Sequence, residues 1–525
     1  MFIDFRTMGI NTVVESDLCV IGAGAAGITI ARELIGENLR VCLLESGGFD
    51  FEAETQSLYE GQSIGLPLYP DRDDLYGSRL RYFGGTTNHW GGQCAPLSEI
   101  DFQPRSWVPH SGWPISKADL DPFYQRALSI CDIGPYLFDK SVWEKIGMEE
   151  PPFNPEEIQS HFWQKSQGPT RRFGTFYRDA LNNAENVKVL LHANVTNIGL
   201  DKTGASVKHV KIGSLNGKIG SVKAKLFVLA CGGIENPRLL LISNQVQTEG
   251  LGNQYDLVGR FFMDNPHAPL GTLVMAEADH FLGTYDFKKF EDVRYKFGWR
   301  ISEEVQKQEQ VLHACGTFGP EEDATPPAVE AARHIFHDLK EGRVSEDLGE
   351  KIGRVFSDLD DSAAYVYCRV QGRGKMCTAN RQLSIRMEQN PNPNSRVTLS
   401  QDRDALGLNR LYLDWRLTEL ERRTAKALAM IIGNEVGRLN MGRVRLPQWL
   451  VEDGDPGWAG GNHHMGTTRM SENPKMGVVN RDCRVHGINN LYIAGSSVFP
   501  TSGFVNPTFT IVALALRLVD HLRVV

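Results

Sequence analysis

The chain has 525 residues, of which 41% are hydrophobic and 23% are charged, and its formal net charge is −8 at pH 7. This length is enough for two large hydrophobic cores, and the composition is that of an ordinary globular protein. The net negative charge gives no electrostatic reason to expect nucleic acid as a partner. The nine cysteines include no C-x-x-C pair, so the sequence indicates neither a disulfide framework nor a zinc site.

Residues 1–16 are expected to be a short lead-in. They lack the basic start and the apolar core of a secretory signal. No apolar run in the sequence reaches the roughly 18 residues that a transmembrane helix needs. The sequence therefore predicts a cytoplasmic protein without a transmembrane segment.

A β-α-β unit follows this lead-in. The apolar run Leu18–Ile21 predicts a buried parallel strand, residues 25–36 predict a helix, and Val41–Leu44 predict a second strand that ends at Glu45. Three glycines between the first strand and the helix have the spacing G-x-G-x-x-G, and they are Gly22, Gly24 and Gly27.

This glycine spacing has a physical reason. It allows a tight turn, the close approach of a pyrophosphate to the backbone, and close packing of the helix on the strand. The free N–H groups at the helix start face the phosphates, and Glu45 can accept hydrogen bonds from a ribose diol. The unit predicts a dinucleotide site, although the motif alone does not separate FAD from NAD.

Residues 49–79 are polar and interrupted by glycine and proline, which is typical of an extended excursion over the surface. The sequence RYFGGTTNHWGGQCAPL follows at 81–97, with glycine pairs at 84–85 and 91–92 around a polar and aromatic centre. Paired glycines indicate that the backbone passes close to a flat or bulky group. The alternative is a glycine-rich surface loop around a buried tryptophan.

Strand-like segments recur at 187–200, Val207–Gly213 and 225–233, and the last of them runs through a Gly-Gly turn into a helical segment. We therefore expect residues 187–244 to return to the sheet that the first unit begins. Residues 491–494 predict a further buried strand.

The region between these segments reads as a second domain. Residues 275–360 are the least legible part of the chain, and we expect them to form a lid or an oligomer contact. Alternating apolar and polar residues predict antiparallel strands with one buried face. The expected elements are helices at 328–339, 345–359 and 419–439 and strands at 364–370, 383–388, 396–400 and 411–416.

The fold class expected from this order is α/β, with a Rossmann-like dinucleotide-binding domain intermixed with an α+β substrate domain built on an antiparallel sheet. The dinucleotide-binding domain, which the resemblance described below identifies as an FAD-binding domain, is expected to be discontinuous, with residues 1–100, 187–274 and 455–525. Residues 101–186 and 275–454 are expected to form the substrate domain.

Candidate chemistry lies near the C-terminus. His463 and His464 are adjacent, so their side chains diverge, and one can face a reacting centre while the other packs. Asn506 precedes Pro507 at a predicted helix start and is either a cap or an uncharged donor to a substrate oxygen. Neutral imidazole is the best base near pH 7 for removing a hydroxyl proton. The spacing offers no metal-ligand pattern.

The ordered set of motifs resembles the glucose–methanol–choline (GMC) oxidoreductases, flavoenzymes that oxidise alcohols. The matching segments lie in the order of the family and cover the whole chain length: 20–48, GGTTNHWGG at 84–92, 229–241, VGRFFMDNPH at 258–267, 392–400, HHMGTTRM at 463–470 and 490–521.

The resemblance implies FAD. It implies that the glycine motif binds the pyrophosphate, that Glu45 binds the adenosine ribose, that Val195 meets the adenine, and that Gly495 lies near the ribityl phosphate. The loop 84–92 would line the flavin. The other positions expected to bind the cofactor are Ala25, Ser46, Arg81, Gly84, Gly85, Thr86, Asn88, His89, Trp90, Gly91, Gly92, Ala230, Gly232, Ala494, Asn506, Pro507 and Thr508.

The resemblance also implies the catalytic residues. The family motif H-x-x-G-T selects His463 as the base, and the N-P-T match places Asn506 as its partner, with His464 as a further residue holding the oxygen. This His/Asn pairing is most similar to the branch that contains pyranose oxidases and cholesterol oxidases. The resemblance favours a non-covalently bound FAD, with a covalent link through His89 as the alternative.

The expected function is therefore oxidation of an alcohol, a sugar, glycoside or other polyol, by hydride transfer to flavin N5. The expected acceptor is oxygen, a quinone or a cytochrome, and a homo-oligomer is an expected assembly. Two other readings stay open. One is a non-redox or light-driven flavoprotein, such as a lyase or decarboxylase, and the other is a catalytically silent flavin-binding subunit.

Overall fold

The structure, a computed structural model, describes residues 1–68, 74–275, 288–320, 380–452 and 454–525 and the single helical residues Ala331, Ile335, Leu348 and Lys351. The helices expected at 328–339 and 345–359 lie mostly outside the described residues, and the strand expected at 364–370 lies wholly outside them.

The described strands are, in chain order, β1 (Phe2–Asp4), β2 (Thr12–Glu15), β3 (Leu18–Ile21), β4 (Val41–Leu44), β5 (Gly61–Ser63), β6 (Gln93–Cys94), β7 (Ile158–Lys165), β8 (Val187–Leu191), β9 (Asn194–Leu200), β10 (Val207–Gly213), β11 (Ile219–Lys223), β12 (Leu226–Leu229), β13 (His267–Met275), β14 (Lys288–Phe290), β15 (Val293–Ile301), β16 (Ala314–Pro320), β17 (Asn380–Met387), β18 (Arg396–Arg403), β19 (Asn409–Asp414), β20 (Gly442–Arg445) and β21 (Leu491–Ile493).

The described α-helices are, in the same order, α1 (Ala25–Glu33), α2 (Ala53–Gln56), α3 (Asp74–Gly77), α4 (Glu99–Phe102), α5 (Lys117–Cys131), α6 (Ser141–Lys145), α7 (Phe173–Phe176), α8 (Arg178–Asn183), α9 (Gly232–Ile242), α10 (Glu303–Glu309), α11 (Glu419–Arg438), α12 (Gln448–Val451) and α13 (Thr508–Leu522). In the described ranges, no helix combines the length and the apolar character that crossing a bilayer requires.

A six-stranded parallel sheet forms one core, in the order β1-β8-β4-β3-β12-β21. Every residue of β3 and β4 is buried, as expected for strands covered on both faces. β1 lies at one edge of this sheet. Residues 1–16, which we expected to be only a short lead-in, therefore contribute a strand to it. The last strand, β21, lies beside β12, and α13 packs on α1 and α5. The final segment of the chain therefore supplies the other edge strand of the sheet.

The segment 187–200, expected as one strand, forms two. β8 belongs to the parallel sheet, whereas β9 belongs to a four-stranded sheet in the order β2-β11-β10-β9. The break lies at His192, whose φ of 56° interrupts the extended backbone. The residues after this break are the ones that reach the cavity described below.

An eight-stranded sheet forms a second core. Its order is β20-β13-β17-β16-β15-β7-β6, with β14 paired to β15, and every pairing in it is antiparallel. The long helix α11 packs on this sheet. Its buried side chains include Leu428 and Ile432, which cluster with Leu383 and Ile385 of β17.

The fold class is thus confirmed, with a parallel sheet and a separate antiparallel sheet. The predicted domain boundary at residue 274 falls inside β13, a strand of the antiparallel sheet, and the division of the chain into two domains stays a prediction. Residues 288–320 of the segment 275–360 form strands of the same sheet together with α10. The role of that segment as a lid or an oligomer contact also stays a prediction.

The excursion at 49–79 is more deeply embedded than expected. Its strand β5 pairs with β19, in a three-stranded sheet completed by β18. Leu58, Leu68 and Leu75 are buried. This packing brings Tyr59, Ser78 and Arg79 of the excursion to the cavity, and no sequence pattern singled them out.

Candidate active site

A cavity of about 540 Å³ lies at the carboxyl ends of the parallel strands and extends to the antiparallel sheet. Most of the residues predicted from the sequence line it. They are Gly22, Gly24, Ala25, Glu45, Ser46, Arg81, Gly85, Thr86, His89, Trp90, Gly91, Val195, Ala230, Gly232, His463, His464, Ala494, Gly495, Asn506, Pro507 and Thr508.

Four predicted positions do not line the cavity, and they support its walls instead. A Cβ at Gly27 would lie 1.9 Å from the Gly22 carbonyl oxygen, so this glycine permits the close packing of helix on strand. Gly84 has a left-handed φ of 99°, and Asn88 Nδ2 donates to the Phe83 carbonyl. Gly92, with a φ of 75°, packs against Arg171.

One end of the cavity is built from the first β-α-β unit. No side chain caps the start of α1, so the N–H groups of its first turn are free to meet a ligand. The Glu45 carboxylate accepts hydrogen bonds from the backbone N–H groups of Ala23 (3.1 Å) and Gly47 (3.0 Å). The turn after β4 therefore holds this buried carboxylate in place.

A network of ions that sequence reasoning missed adjoins this end. Glu235 on α9 accepts hydrogen bonds from Arg79 Nη1 (2.9 Å), Arg81 Nη1 (3.3 Å) and Arg238 Nη1 (3.3 Å). Burial acts to raise the pKa of Glu235, but the three guanidinium groups outweigh it and lower the pKa to about 2. The Arg79 guanidinium also lies 3.8 Å from the centre of the Tyr59 ring.

These features fit a dinucleotide cofactor. Cβ atoms built on Gly24, Gly232 and Gly495 would meet nothing within 4 Å, so the backbone at the strand ends faces open space. Uncapped N–H groups, a fixed carboxylate and a glycine-lined surface are the components that bind a pyrophosphate and its ribose.

At the other end, the neighbours of His463 determine which ring nitrogen is protonated. Asn265 Nδ2 donates to the carbonyl oxygens of Met387 (3.1 Å) and Gly503 (2.6 Å). Asn265 Oδ1 therefore faces His463 Nδ1, at 2.7 Å, and an amide oxygen can only accept. Nδ1 carries the proton, so the lone pair of the imidazole is on Nε2.

Asn506 is oriented by the same logic. An arginine can only donate, and Arg386 Nη1 lies 2.7 Å from Asn506 Oδ1. The amide nitrogen of Asn506 therefore faces His463 Nε2, at 3.1 Å, and donates to it. The two predicted catalytic residues thus meet, and the lone pair on Nε2 and the amide N–H are presented together.

The pKa of His463 lies well below its usual range because the ring is buried, and the positive charge of Arg386 lowers it further. The backbone N–H groups of Gly461 (2.6 Å) and His463 (3.1 Å) donate to the buried carboxyl of Asp264. Burial raises the pKa of Asp264 to about 7 despite these hydrogen bonds. These hydrogen bonds to Asp264 hold the backbone of the His463 loop in place. The imidazole of His463 is neutral at pH 7.

His464 and His89 are placed differently. His464 lines the cavity, but its Nε2 is buried without a hydrogen-bond partner in the described ranges, and burial lowers its pKa to about 3. Its ring lies 5.8 Å from the Phe262 ring. His89 is exposed and lines the cavity. No hydrogen bond joins His464 to Asn506.

Arg386 and Asn265 are the residues that sequence reasoning missed here. Arg386 falls on the polar positions of the predicted strand 383–388, a pattern that reads as a solvent-facing side. Asn265 lies within the motif segment 258–267, but its sequence does not indicate contact with a residue almost 200 positions later. The available signal for Arg386 was its charge on the polar side of a strand that follows the cofactor-binding segments in the sequence.

Comparison with known proteins identifies related flavoenzymes. The profile of the family described as FAD dependent oxidoreductase matches residues 17–336, and that of the GMC oxidoreductase C-terminal domain matches residues 391–515. The 2-methyl-1,2-propanediol dehydrogenase of Mycolicibacterium austroafricanum is 25% identical, over 97% of this chain and 95% of the relative. The fructose dehydrogenase large subunit of Gluconobacter japonicus is 23% identical, over 97% and 98%.

Among solved structures, the pyridoxine 4-oxidase from Mesorbium loti superposes with a TM-score of 0.61 at 15% identity, covering 97% of this chain and 99% of that one. That likeness shows the fold. The fold and the profile match define an FAD-dependent oxidoreductase. Within that class, the chain belongs to the GMC oxidoreductases.

Proposed function

We propose that the protein oxidises an alcohol carbon of a carbohydrate-like substrate to a carbonyl, with His463 as the base and Asn506 as the group that holds the substrate oxygen. The observation that carries this proposal is the fixed polarity of the chain of hydrogen bonds from Asn265 through His463 and Asn506 to Arg386. Relatives named for a diol and for fructose support the substrate class.

The protein's part in the reaction follows from this polarity. A hydroxyl that enters between the two side chains donates its proton to His463 Nε2 and accepts a hydrogen bond from Asn506 Nδ2. The proton moves to Nε2 as the hydride leaves the carbon, and Asn265 Oδ1 keeps the ring oriented through Nδ1. FAD, when bound, supplies the hydride acceptor, flavin N5.

Anaerobic reduction of the flavin by a panel of sugars and polyols, read at the flavin absorbance band, tests this proposal. Without oxygen, the half-reaction is observed independently of the acceptor. We expect His463→Ala to keep its FAD and to lower the rate of reduction by roughly 10²- to 10⁴-fold, the range for loss of a general base.

Two outcomes would contradict the proposal. If no alcohol bleaches the wild-type flavin, a non-redox or light-driven flavoprotein is favoured. If His463→Ala changes neither the rate of flavin reduction nor the function of the protein, a silent flavin-binding subunit is favoured.

The control variant must leave His463 undisturbed. Gly461→Ala is not a suitable control, because a Cβ there would lie 2.9 Å from His463 Nδ1. Asn394→Ala, on an exposed turn, is the matched control.

The attachment of FAD forms a second part of the proposal, and we infer a non-covalent complex. His89 is exposed and lines the cavity, so the alternative link through its ring can be tested directly. Acid precipitation should release the flavin into the supernatant, whereas flavin that stays with the pellet would indicate the link through His89. The cytoplasmic location stays a prediction from the sequence.

A further inference from the structure

The guanidinium of Arg386 is a cation at the substrate end of the cavity with donors still free. Its Nη1 donates to Asn506 Oδ1 at 2.7 Å, and its Nε donates to His267 Nε2 at 3.1 Å. Gln93 Oε1, at 3.5 Å from Nη1, is its remaining hydrogen-bond partner among the described residues. Within the described part of the chain, Nη2 has no hydrogen-bond partner, and no carboxylate lies within 4.0 Å of the guanidinium.

Lys296 on β15 is a second cation close enough to Arg386 and His267 to affect their charges, although it does not line the cavity. It forms neither a hydrogen bond nor an ion pair with any described residue. Burial and, to a smaller extent, the charge of Arg386 lower its pKa to about 8. His267, which accepts from Arg386 Nε, is neutral, because burial, Arg386 and Lys296 together lower its pKa to about 3.

No described acidic residue of the site forms an ion pair with either of these cations. Glu45 and Glu235 line the nucleotide end of the cavity, where backbone N–H groups and three arginines already occupy their oxygens. The charge of Asp264 favours the protonated form of Arg386, but its oxygens accept from the backbone N–H groups of Gly461 and His463 and form no ion pair with the guanidinium. The free Nη2 of Arg386 therefore has no anionic partner among the described residues.

The reaction places a further cation near Arg386, while the hydride carries the balancing negative charge to the flavin. Proton transfer from the substrate to His463 creates an imidazolium whose neighbour, Asn506, is bonded to Arg386. Two nearby cations repel each other strongly where water is excluded, and a negative charge between them removes that cost. The planar fork of an arginine suits a carboxylate or phosphate oxygen better than a neutral hydroxyl.

We propose that the alcohol substrate carries an anionic group, a carboxylate or a phosphate ester, which accepts hydrogen bonds from the free Nη2 of Arg386 and is attracted by Lys296. This inference rests on the proposed oxidation of a carbohydrate-like alcohol. It narrows the substrate class to acidic sugars, such as uronic or aldonic acids, or to sugar phosphates.

Matched substrates test the inference with the FAD-loaded enzyme. Methyl glucoside, glucuronate, glucose 6-phosphate and glucosamine provide a neutral, a carboxylate, a phosphate and a cationic form of one scaffold. We expect the apparent Kd in anaerobic flavin reduction to be roughly 10- to 100-fold lower for an anionic form than for the neutral one, with glucosamine the weakest. The better of the two anions identifies the group.

A binding measurement separates this inference from the proposed function. Acetate should perturb the flavin absorption spectrum of the wild-type protein, and Arg386→Gln should weaken that binding at least tenfold. In Arg386→Gln, the ratio of the apparent Kd for the neutral sugar to that for the anionic sugar should fall to near 1. In Lys296→Gln, the same ratio should fall in part.

The outcomes are distinct. If no sugar reduces the flavin but acetate binds through Arg386, the proposed function fails and the anion site stands. If acetate does not bind, or if the neutral and anionic sugars have equal apparent Kd values, the proposal of an anion site is wrong. An anion preference that survives in Arg386→Gln would also overturn it.

Discussion

The two ends of the cavity treat buried charge in opposite ways. At the nucleotide end, the Glu235 carboxylate is surrounded by three guanidinium groups, and Glu45 accepts from two backbone N–H groups. At the substrate end, the Arg386 guanidinium binds only neutral groups among the described residues, and one of its nitrogens is free.

This contrast indicates that the two ends have different roles. Paired charges fix a geometry before any ligand arrives, which suits a cofactor that stays bound. An unpaired charge is held at a cost to stability, because a desolvated ion without a partner is unfavourable. Such a charge is retained where a ligand or a reaction step uses it. We therefore expect the nucleotide end to govern stability and the substrate end to govern turnover.

The largest effect is expected for Gly27→Ala. The new Cβ would lie 1.9 Å from the Gly22 carbonyl oxygen, so α1 must move away from β3 and the nucleotide end loses its geometry. We expect loss of FAD and a drop in stability of about 3 kcal/mol or more, as for a severe overpacking change. The flavin-to-protein ratio and thermal unfolding measure both.

Gly24→Ala is the control for this change. A Cβ on Gly24 would meet no atom within 4 Å, and the residue has an ordinary negative φ of −87°. The apoprotein should unfold at the wild-type temperature, while FAD binding weakens because the methyl group enters the cavity. Equal FAD content in Gly27→Ala and the wild type would contradict the account of the first β-α-β unit.

The next effect compares the two ends directly. Glu235→Gln leaves three arginines without their shared carboxylate, and we expect it to lower the free energy of unfolding by about 3–5 kcal/mol. Arg386→Gln should change it by less than about 1 kcal/mol, because no described carboxylate loses a partner. Denaturant unfolding of both apoproteins measures the pair. Equal destabilisation of the two variants would remove the distinction drawn between the ends.

Much of the parallel sheet could be predicted from the sequence, because its signals are local. Leu18–Ile21 and Val41–Leu44 are apolar runs that end at glycine or at an acidic residue, and both are strands with those bounds. The start of α13 at Thr508 follows from Pro507 in the same way. The motif spacing also placed His463 and Asn506, which the structure brings to 3.1 Å.

The rest depends on contacts between distant parts of the chain. The break at His192 needs a left-handed backbone at a residue that rarely adopts it, and composition does not signal this. Arg386 alternates with apolar neighbours as a surface residue would, yet its side of the strand faces a cavity rather than solvent. Asn265 acts through carbonyls of Met387 and Gly503, which no local pattern connects to it.

The substrate end should respond to a change of charge beside the base. In Asn265→Asp, a carboxylate replaces the amide oxygen 2.7 Å from His463 Nδ1 and stabilises the imidazolium. The pKa of His463, which lies well below its usual range in the wild type, should rise by about 1–3 units. Because only neutral imidazole accepts the proton, the acidic limb of the rate of flavin reduction should move to higher pH.

The control for this pH shift is Asn394→Asp, which adds the same charge on an exposed turn. Its pH profile should match that of the wild type. An acidic limb that stays in place in Asn265→Asp, with FAD still bound, would mean that His463 is not the group whose ionisation limits the rate.

The smallest effect on stability is expected from removing an exposed charge on the nucleotide-binding side of the molecule. Arg126 joins Glu33 of α1 and Asp520 of α13, both at 2.6 Å, but its side chain is 35% exposed. We expect Arg126→Met to lower the free energy of unfolding by no more than about 1 kcal/mol, with most of that loss absent in 1 M salt. Buried apolar residues such as Ile28 and Leu514 already join these helices to the core. A salt-resistant loss of several kcal/mol would show that exposed charges, and not this apolar contact, hold the last helix on the first.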